Sequence, residues 1–185
     1  MRTRLGSRLG VKKMKSDLTL VLGGAASGKS AWAENFVETS GLPKVYVATA
    51  QAFDNEMSAK IQAHRTMRGR GWDTRENPLS PGDALDGLPS DRAVLIDCAT
   101  MWLTNLMLGE SDIDAATDAF LAALDACPAR IVVVSNEVGQ GIVPDNALAR
   151  RFREAQGRLN IRLAARADRV VQVVAGLPNV LKGQI

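Results

Sequence analysis

The chain has 185 residues, 46% of them hydrophobic, which suffices for one α/β domain with a full core. Its formal charge of +3 is unevenly spread: Arg2, Arg4, Arg8, Lys12, Lys13 and Lys15 crowd residues 1–16 with no acid among them, leaving 17 bases against 20 acids in the remainder. An acidic body argues against a nucleic-acid binder, the basic leader lacks the apolar centre of a signal peptide, and no stretch approaches the ~18–20 apolar residues of a membrane span.

Residues 1–16 are therefore expected to be a disordered extension and 17–185 a single nucleotide-binding domain. The run Leu18 to Leu22 reads as a short buried strand. It leads into Gly23-Gly24-Ala25-Ala26-Ser27-Gly28-Lys29-Ser30, a G-x-x-x-x-G-K-S phosphate-binding loop. Glycines let the backbone curl so that successive N–H groups face phosphate oxygens, Lys29 supplies a mobile positive charge, and the Ser30 hydroxyl can ligate Mg²⁺. Ser30 to Thr39 reads as a helix whose N-terminus would face the phosphates.

Lys44 to Ala50 reads as a second strand. Asp54 and Asn55 can cap a helix over Glu56 to Arg70, with Met57, Ile61 and His64 on one face and Lys60 and Arg68 one turn either side of His64. Trp72 to Glu76 is a short predicted strand, and 77–91, with three prolines and two glycines, a loop around one helical turn. Ala93 to Asp97 is a clear strand. Asp97 at its end is placed to bind Mg²⁺ directly or through water, completing what Ser30 begins. Cys98 reads as a small core residue. With Cys127 it has no His/Cys spacing around it, which fits a reducing, cytoplasmic setting without structural zinc.

Helices are predicted over Ala99 to Leu108 and Asp114 to Ala126, and a buried strand over Ile131 to Ser135. A glycine-bearing loop at 136–144 follows, in the position where α/β proteins place ligand contacts. Asp145 is read as the cap of a long helix to Ala167, with Leu148, Phe152, Ala155, Leu159 and Leu163 inward and its arginines mostly a solvated face. Arg169 to Val174 is a further strand. The turn Gly176 to Asn179 is too short for a parallel crossover, so the last strand, Val180 to Lys182, should run antiparallel.

Taken together, GGAASGKS at 23–30, YVATAQAFDNEM at 46–57, IQAHR at 61–65, WDTRENP at 72–78, LIDCATMWLTNLM at 95–107, SNEVGQGIVPDNALARRFREAQGRLN at 135–160 and GLPNVLKG at 176–183 resemble the bifunctional adenosylcobinamide kinase/adenosylcobinamide-phosphate guanylyltransferases of cobalamin biosynthesis. The resemblance implies an α/β fold of the P-loop NTPase, RecA-like kind: three layers and a mostly parallel sheet with an antiparallel C-terminal strand. It implies phosphorylation of adenosylcobinamide by a nucleoside triphosphate (ATP or GTP), then transfer of GMP from GTP to the phosphate through a guanylylated histidine, which His64 matches. Nucleotide-binding positions carried over are Gly23, Gly24, Ala25, Ala26, Ser27, Gly28, Lys29, Ser30, Ala48, Thr49, Ala50, His64, Arg65, Glu76 and Asp97. Mg²⁺ falls to Ser30 and Asp97, catalysis to His64 and Lys29, and a homotrimer is implied.

Departures from the family pattern are minor: Ala26 stands where arginine is common, Gln140 where a bulkier residue is usual, and Ile161 where glutamine is frequent. The first weakens the expected hold on phosphate. From the residues alone Glu76 reads equally as a solvated acid. A kinase without the transferase step is the alternative reading. A nucleotide-dependent switch ranks lower, because Asn136-Glu137-Val138-Gly139 stands where a guanine-reading N-K-x-D would be expected. A DNA motor would need a basic stacking groove, and the chain is only 4% aromatic.

Overall fold

The computed structural model describes residues 17–51 and 71–185. Seven strands occur in the described chain: β1 (Asp17–Gly23), β2 (Lys44–Ala48), β3 (Trp72–Glu76), β4 (Ala93–Asp97), β5 (Arg130–Asn136), β6 (Arg169–Val174) and β7 (Leu177–Lys182). They form one sheet in the order β3-β2-β4-β5-β1-β6-β7, every neighbouring pair parallel except β6 with β7. The described helices are α1 (Lys29–Glu38), α2 (Ala99–Leu108), α3 (Ile113–Ala126) and α4 (Ala147–Arg166). The expected helix over 56–70 lies outside the described residues, as does the N-terminal extension.

The inner strands β1, β2, β4, β5 and β6 are mostly apolar because both their faces are covered, as parallel sheets require, whereas the edge strands β3 and β7 are largely exposed. On one face Val21, Tyr46, Leu95, Val132 and Val134 pack with Ala33 and Val37 of α1. On the other, Leu20, Val47, Ile96, Ile131 and Val133 pack with α2, α3 and α4 through Trp102, Leu103, Leu121, Leu124, Leu159 and Leu163. The result is a three-layer α/β fold of the P-loop NTPase kind, with the antiparallel final strand that the short turn predicts.

Most strand and helix ends fall within one residue of expectation, β5 for instance running through Asn136, but two strand boundaries differ by more. The last turn is the dipeptide Ala175-Gly176, with φ of 50° and 78°, and β7 already begins at Leu177. Positive φ at both central residues is what a two-residue hairpin needs, and Pro178 is tolerated because β7 is an edge strand. β2 ends at Ala48, two residues early, because Thr49 turns out of the ladder to bond with Cys98.

The cap of α4 is Asn146, not Asp145: its Oδ1 accepts from the Ala149 N–H at 2.7 Å. The inward stripe of that helix starts later than predicted. Leu148 is 56% exposed, along an open groove with Met107, Leu108 and Phe152, since no described element covers the first turn. The buried positions are Gln156, Leu159, Asn160 and Leu163.

Trp102 is the largest buried side chain and bridges α2 to the 77–91 loop, its indole N–H donating to the Leu79 carbonyl at 2.9 Å. Trp102→Ala should lower the unfolding free energy by about 3–5 kcal/mol, from lost burial and the cavity left behind. Urea unfolding of the two proteins checks this.

Candidate functional site

β1 is flanked by β5 and β6, and its last residue leaves no room for a side chain. A Cβ on Gly23 would lie 2.4 Å from Ser27 Oγ and 2.7 Å from the Val173 carbonyl oxygen. The chain then turns outward through Gly24, Ala25 and Ala26, all exposed, and returns at Gly28, whose φ is 88°. A Cβ there would meet Gly176 Cα at 3.0 Å. The turn of the β6–β7 hairpin thus sits directly on the phosphate loop, and the Gly176 N–H donates to the Ser27 carbonyl at 2.8 Å.

Gly28 is also the N-cap of α1 and offers no side-chain cap, and the first turn holds no acid. The first N–H groups of the helix therefore point at the loop without a protein acceptor of that kind, which is the arrangement that takes an anion. Lys29 folds back over the loop, Nζ donating to the Gly24 carbonyl at 3.0 Å. Ser27 Oγ is buried with no hydrogen-bond partner. A cradle closed to side chains, a lysine over it and an unpaired hydroxyl together fit a polyphosphate.

The strand register gathers the other expected residues at the same edge of the sheet. Ala48 lies opposite Glu76 on one side and Asp97 on the other. Glu76 is exposed at the end of β3. Asp97 is half-buried, and one carboxylate oxygen, Oδ2, accepts from the Tyr46 hydroxyl at 3.2 Å. Tyr46 is itself buried and meets the Trp72 ring edge-on, centroids 6.0 Å apart.

Ala50 is half-buried beside Thr49, which is fully buried and braces the site from within. The Thr49 hydroxyl donates to the Cys98 carbonyl at 2.7 Å and accepts from the Cys98 N–H at 2.8 Å. Its N–H donates to the Asp97 carbonyl, and its own carbonyl accepts from Asn105 Nδ2 at 2.8 Å. The same Asn105 amide group reaches the Pro78 carbonyl at 2.9 Å. His64 and Arg65 lie outside the described residues.

Cys98 is buried beneath this edge. Burial, and secondarily the Asp97 charge, push its thiol up to about 12, while the Lys29 charge pulls the other way. Phosphate-loop lysine and strand-end acid are thus both within electrostatic reach of one buried sulfur. Asp97 and Ser30 offer hard oxygen donors, one carboxylate and one hydroxyl. That set suits Mg²⁺, which takes one or two protein ligands and completes its shell with water and phosphate oxygens.

Several supports were not visible in the sequence. Arg150 donates to the carbonyls of Pro144 and Asp145, at 3.0 and 2.6 Å. Arg153 donates to the Ile142 carbonyl at 3.1 Å and also to that of Gly139. These two arginines, Arg150 exposed and Arg153 half-buried, hold the 139–145 loop from the surface. The predicted solvation fits the others better: Arg158, Arg162 and Arg166 pair at the surface with Glu154, Asp118 and Asp125. Tyr46, Asn105, Gln156 and Asn160 fall inside the stretches that carry the resemblance, but no site role was read for them; the available signal was a polar group placed where the apolar period calls for a core residue.

Fold and site together define a P-loop nucleotide-binding enzyme. A family model described as cobinamide kinase/cobinamide phosphate guanyltransferase matches residues 19–181. The chain is 45% identical over 168 residues to the bifunctional adenosylcobalamin biosynthesis protein CobP of Pseudomonas aeruginosa, covering 89% of this chain and 97% of that protein. It is 44% identical over 178 residues to the bifunctional adenosylcobalamin biosynthesis protein CobU of Salmonella typhimurium, covering 86% and 97%. A solved structure from Pyrococcus horikoshii, 8% identical, shares the fold with a TM-score of 0.57 over 92% of this chain and 88% of its own. The chain belongs to the cobinamide kinase/cobinamide phosphate guanyltransferase family.

Two measurements test the site as a structure. Gly28→Ala forces a side chain onto a left-handed backbone and against Gly176. It should cost at least about 1–2 kcal/mol, read as a lower melting temperature, and weaken nucleotide binding with it. Cys98 in the folded protein should react with a disulfide reagent at pH 8 far more slowly than after denaturation, because the reactive thiolate is both hidden and disfavoured.

Proposed function

We propose that the chain phosphorylates adenosylcobinamide with a nucleoside triphosphate and then transfers GMP from GTP to the phosphate formed, giving adenosylcobinamide-GDP. The observation that carries this reading is the family match over 19–181 laid on a fully formed phosphate loop with Asp97 at the same sheet edge. In the first step the backbone of 23–30 and Lys29 hold the polyphosphate, and Ser30 and Asp97 would hold Mg²⁺. The corrinoid hydroxyl attacks the terminal phosphorus, the bond to the bridging oxygen breaks, and the nucleoside diphosphate leaves.

In the second step the neutral imidazole of His64 attacks the α-phosphorus of GTP and pyrophosphate leaves, giving a histidine–GMP phosphoramidate. An oxygen of adenosylcobinamide phosphate then attacks that phosphorus and releases the imidazole. Arg65, Glu76 and the 48–50 segment contact the nucleotide in this reading. Glu76 accepts from the guanine edge or the ribose, a carboxylate being an acceptor only. The homotrimer belongs to the same reading; a solution mass of three chains, against 19.8 kDa for one, is its check. No described helix is long and apolar enough to cross a membrane.

His64→Ala should abolish labelling of the protein by α-labelled GTP and abolish guanylyl transfer, with kinase activity partly retained. The wild-type adduct should be acid-labile and alkali-stable; an acid-stable adduct, or transfer by His64→Ala, contradicts the assignment. Lys29→Ala should depress both activities together, since both steps use one loop. Asp97→Asn should weaken the response to Mg²⁺ and the rate more than the affinity for nucleotide, measured by Mg²⁺ titration of the initial rate and by equilibrium binding.

A further inference from the structure

β5 lies between the strand that launches the phosphate loop and the strand that ends in Asp97. Its last residue, Asn136, is opposite Gly23, and the next residue's N–H, on Glu137, donates to the Gly23 carbonyl at 3.0 Å. Both backbone polar groups of Asn136 are held by side chains rather than by a neighbouring strand. Its N–H donates to Thr100 Oγ1 at 2.8 Å, and its carbonyl accepts from Asn160 Nδ2 at 3.0 Å. Asn160 is fixed in turn: its Oδ1 accepts from Ser135 Oγ at 2.6 Å and from Gln156 Nε2 at 3.1 Å.

This cluster lies on the side of the sheet that α2 and α4 cover. Ser135 and Gln156 are fully buried there, and Thr100 and Asn160 nearly so. Because side chains alternate along a strand, Ser135 pointing toward α4 sends Asn136 to the opposite face. That is the face of Val132 and Val134, which pack with α1. Asp97 follows Leu95 by two residues and lies on that face too, as its bond from Tyr46 requires. On the α1 side, at the carboxyl edge, the Asn136 amide therefore stands between the phosphate loop and Asp97. Its Oδ1 is buried and has no hydrogen-bond partner. A buried amide oxygen without a partner costs free energy in the free protein, and Thr100 and Asn160, backed by Ser135 and Gln156, fix the backbone that carries it. The amide N–H₂ makes no hydrogen bond to the described residues, and Asn136 as a whole is only half-buried, so this donor is open to a ligand.

We propose that Asn136 is a nucleotide-contacting residue whose side-chain amide donates to the terminal phosphate of the bound triphosphate, with Thr100 and Asn160 as positioning residues behind it. The proposal rests on the phosphate-loop reading above and adds a contact to it. A donor at this position senses whether the third phosphate is present, since the loop and Lys29 also hold a diphosphate.

The test is equilibrium binding of β,γ-imido-GTP and of GDP, each with Mg²⁺, to the full chain carrying His64→Ala so that no guanylyl transfer runs. Adding Asn136→Ala should raise the dissociation constant of the triphosphate analogue about tenfold, the scale of one hydrogen bond to a charged group, and leave that of GDP within about twofold. Asn136→Leu, close to asparagine in shape but without polar atoms, should show the same split with a melting temperature no lower than its parent, because an unpaired buried acceptor is gone. Equal weakening of both ligands, or no change in either, overturns the proposal; equal weakening with a lower melting temperature makes Asn136 a structural prop. Lys29→Ala, run alongside, should weaken both ligands. If it weakens neither, the phosphate-loop reading has failed, and this proposal with it.

Discussion

The central constraint is the absence of space at Gly23. The residue closes β1 where that strand is flanked by β5 and β6, and Ser27 and the Val173 carbonyl occupy the volume that a Cβ would need. Only a bare backbone can leave the sheet there and curl back within five residues to start α1. Everything the site does with phosphate follows from that exit. The end of α1 without a side-chain cap faces the loop, and Lys29 is carried over the top, bonded to the Gly24 carbonyl. The hairpin turn at Ala175-Gly176 then closes the loop from the far side, so the last strand of the chain takes part in shaping its first functional segment.

A second layer of constraint comes from buried polar groups, which are costly unless paired and so define geometry where apolar packing would tolerate slip. Thr49 spends its hydroxyl, N–H and carbonyl on Cys98, Asp97 and Asn105, locking the end of β2 to the end of β4. Ser135, Gln156 and Asn160 do the same for the end of β5. Both clusters lie at the carboxyl edge, under the residues proposed to meet substrate. Elsewhere the buried strand positions are apolar apart from Thr19. Rigid support is concentrated where atoms must be held to fractions of an ångström, as transfer at phosphorus demands.

Membership in a family of bifunctional enzymes poses a physical problem, because one chain is asked to break the bond at the γ-phosphorus in one reaction and at the α-phosphorus in another. As proposed, the described edge is a shared anchor for the polyphosphate, made of backbone and one lysine, with no preference for which phosphorus reacts. In the proposed scheme selection falls to what is brought to each phosphorus: the corrinoid hydroxyl at one end and His64 at the other.

Much of this was legible in the amino-acid order. Local chemistry announced the phosphate loop, since only glycines at 23 and 28 with Lys29 and Ser30 meet its needs. The apolar runs ending in Asp97 and Ser135 announced strands of a mostly parallel sheet, and the short Gly176–Asn179 turn announced an antiparallel end, although the structure turns earlier, at Ala175-Gly176. The family resemblance followed from the motifs in their order. What the order of residues could not reveal is which distant atoms pair: Tyr46 with Asp97, Asn105 with Thr49 and Pro78, the Gly176 turn against Ser27 and Gly28, Arg150 and Arg153 with the carbonyls of the 139–145 loop. It also misjudged the first turn of α4, where periodicity placed Leu148 inward although no described element covers it. The reason is general. Propensity and period are properties of neighbours in the chain, whereas a hydrogen bond across the sheet depends on strand order and register, which only the packed structure decides.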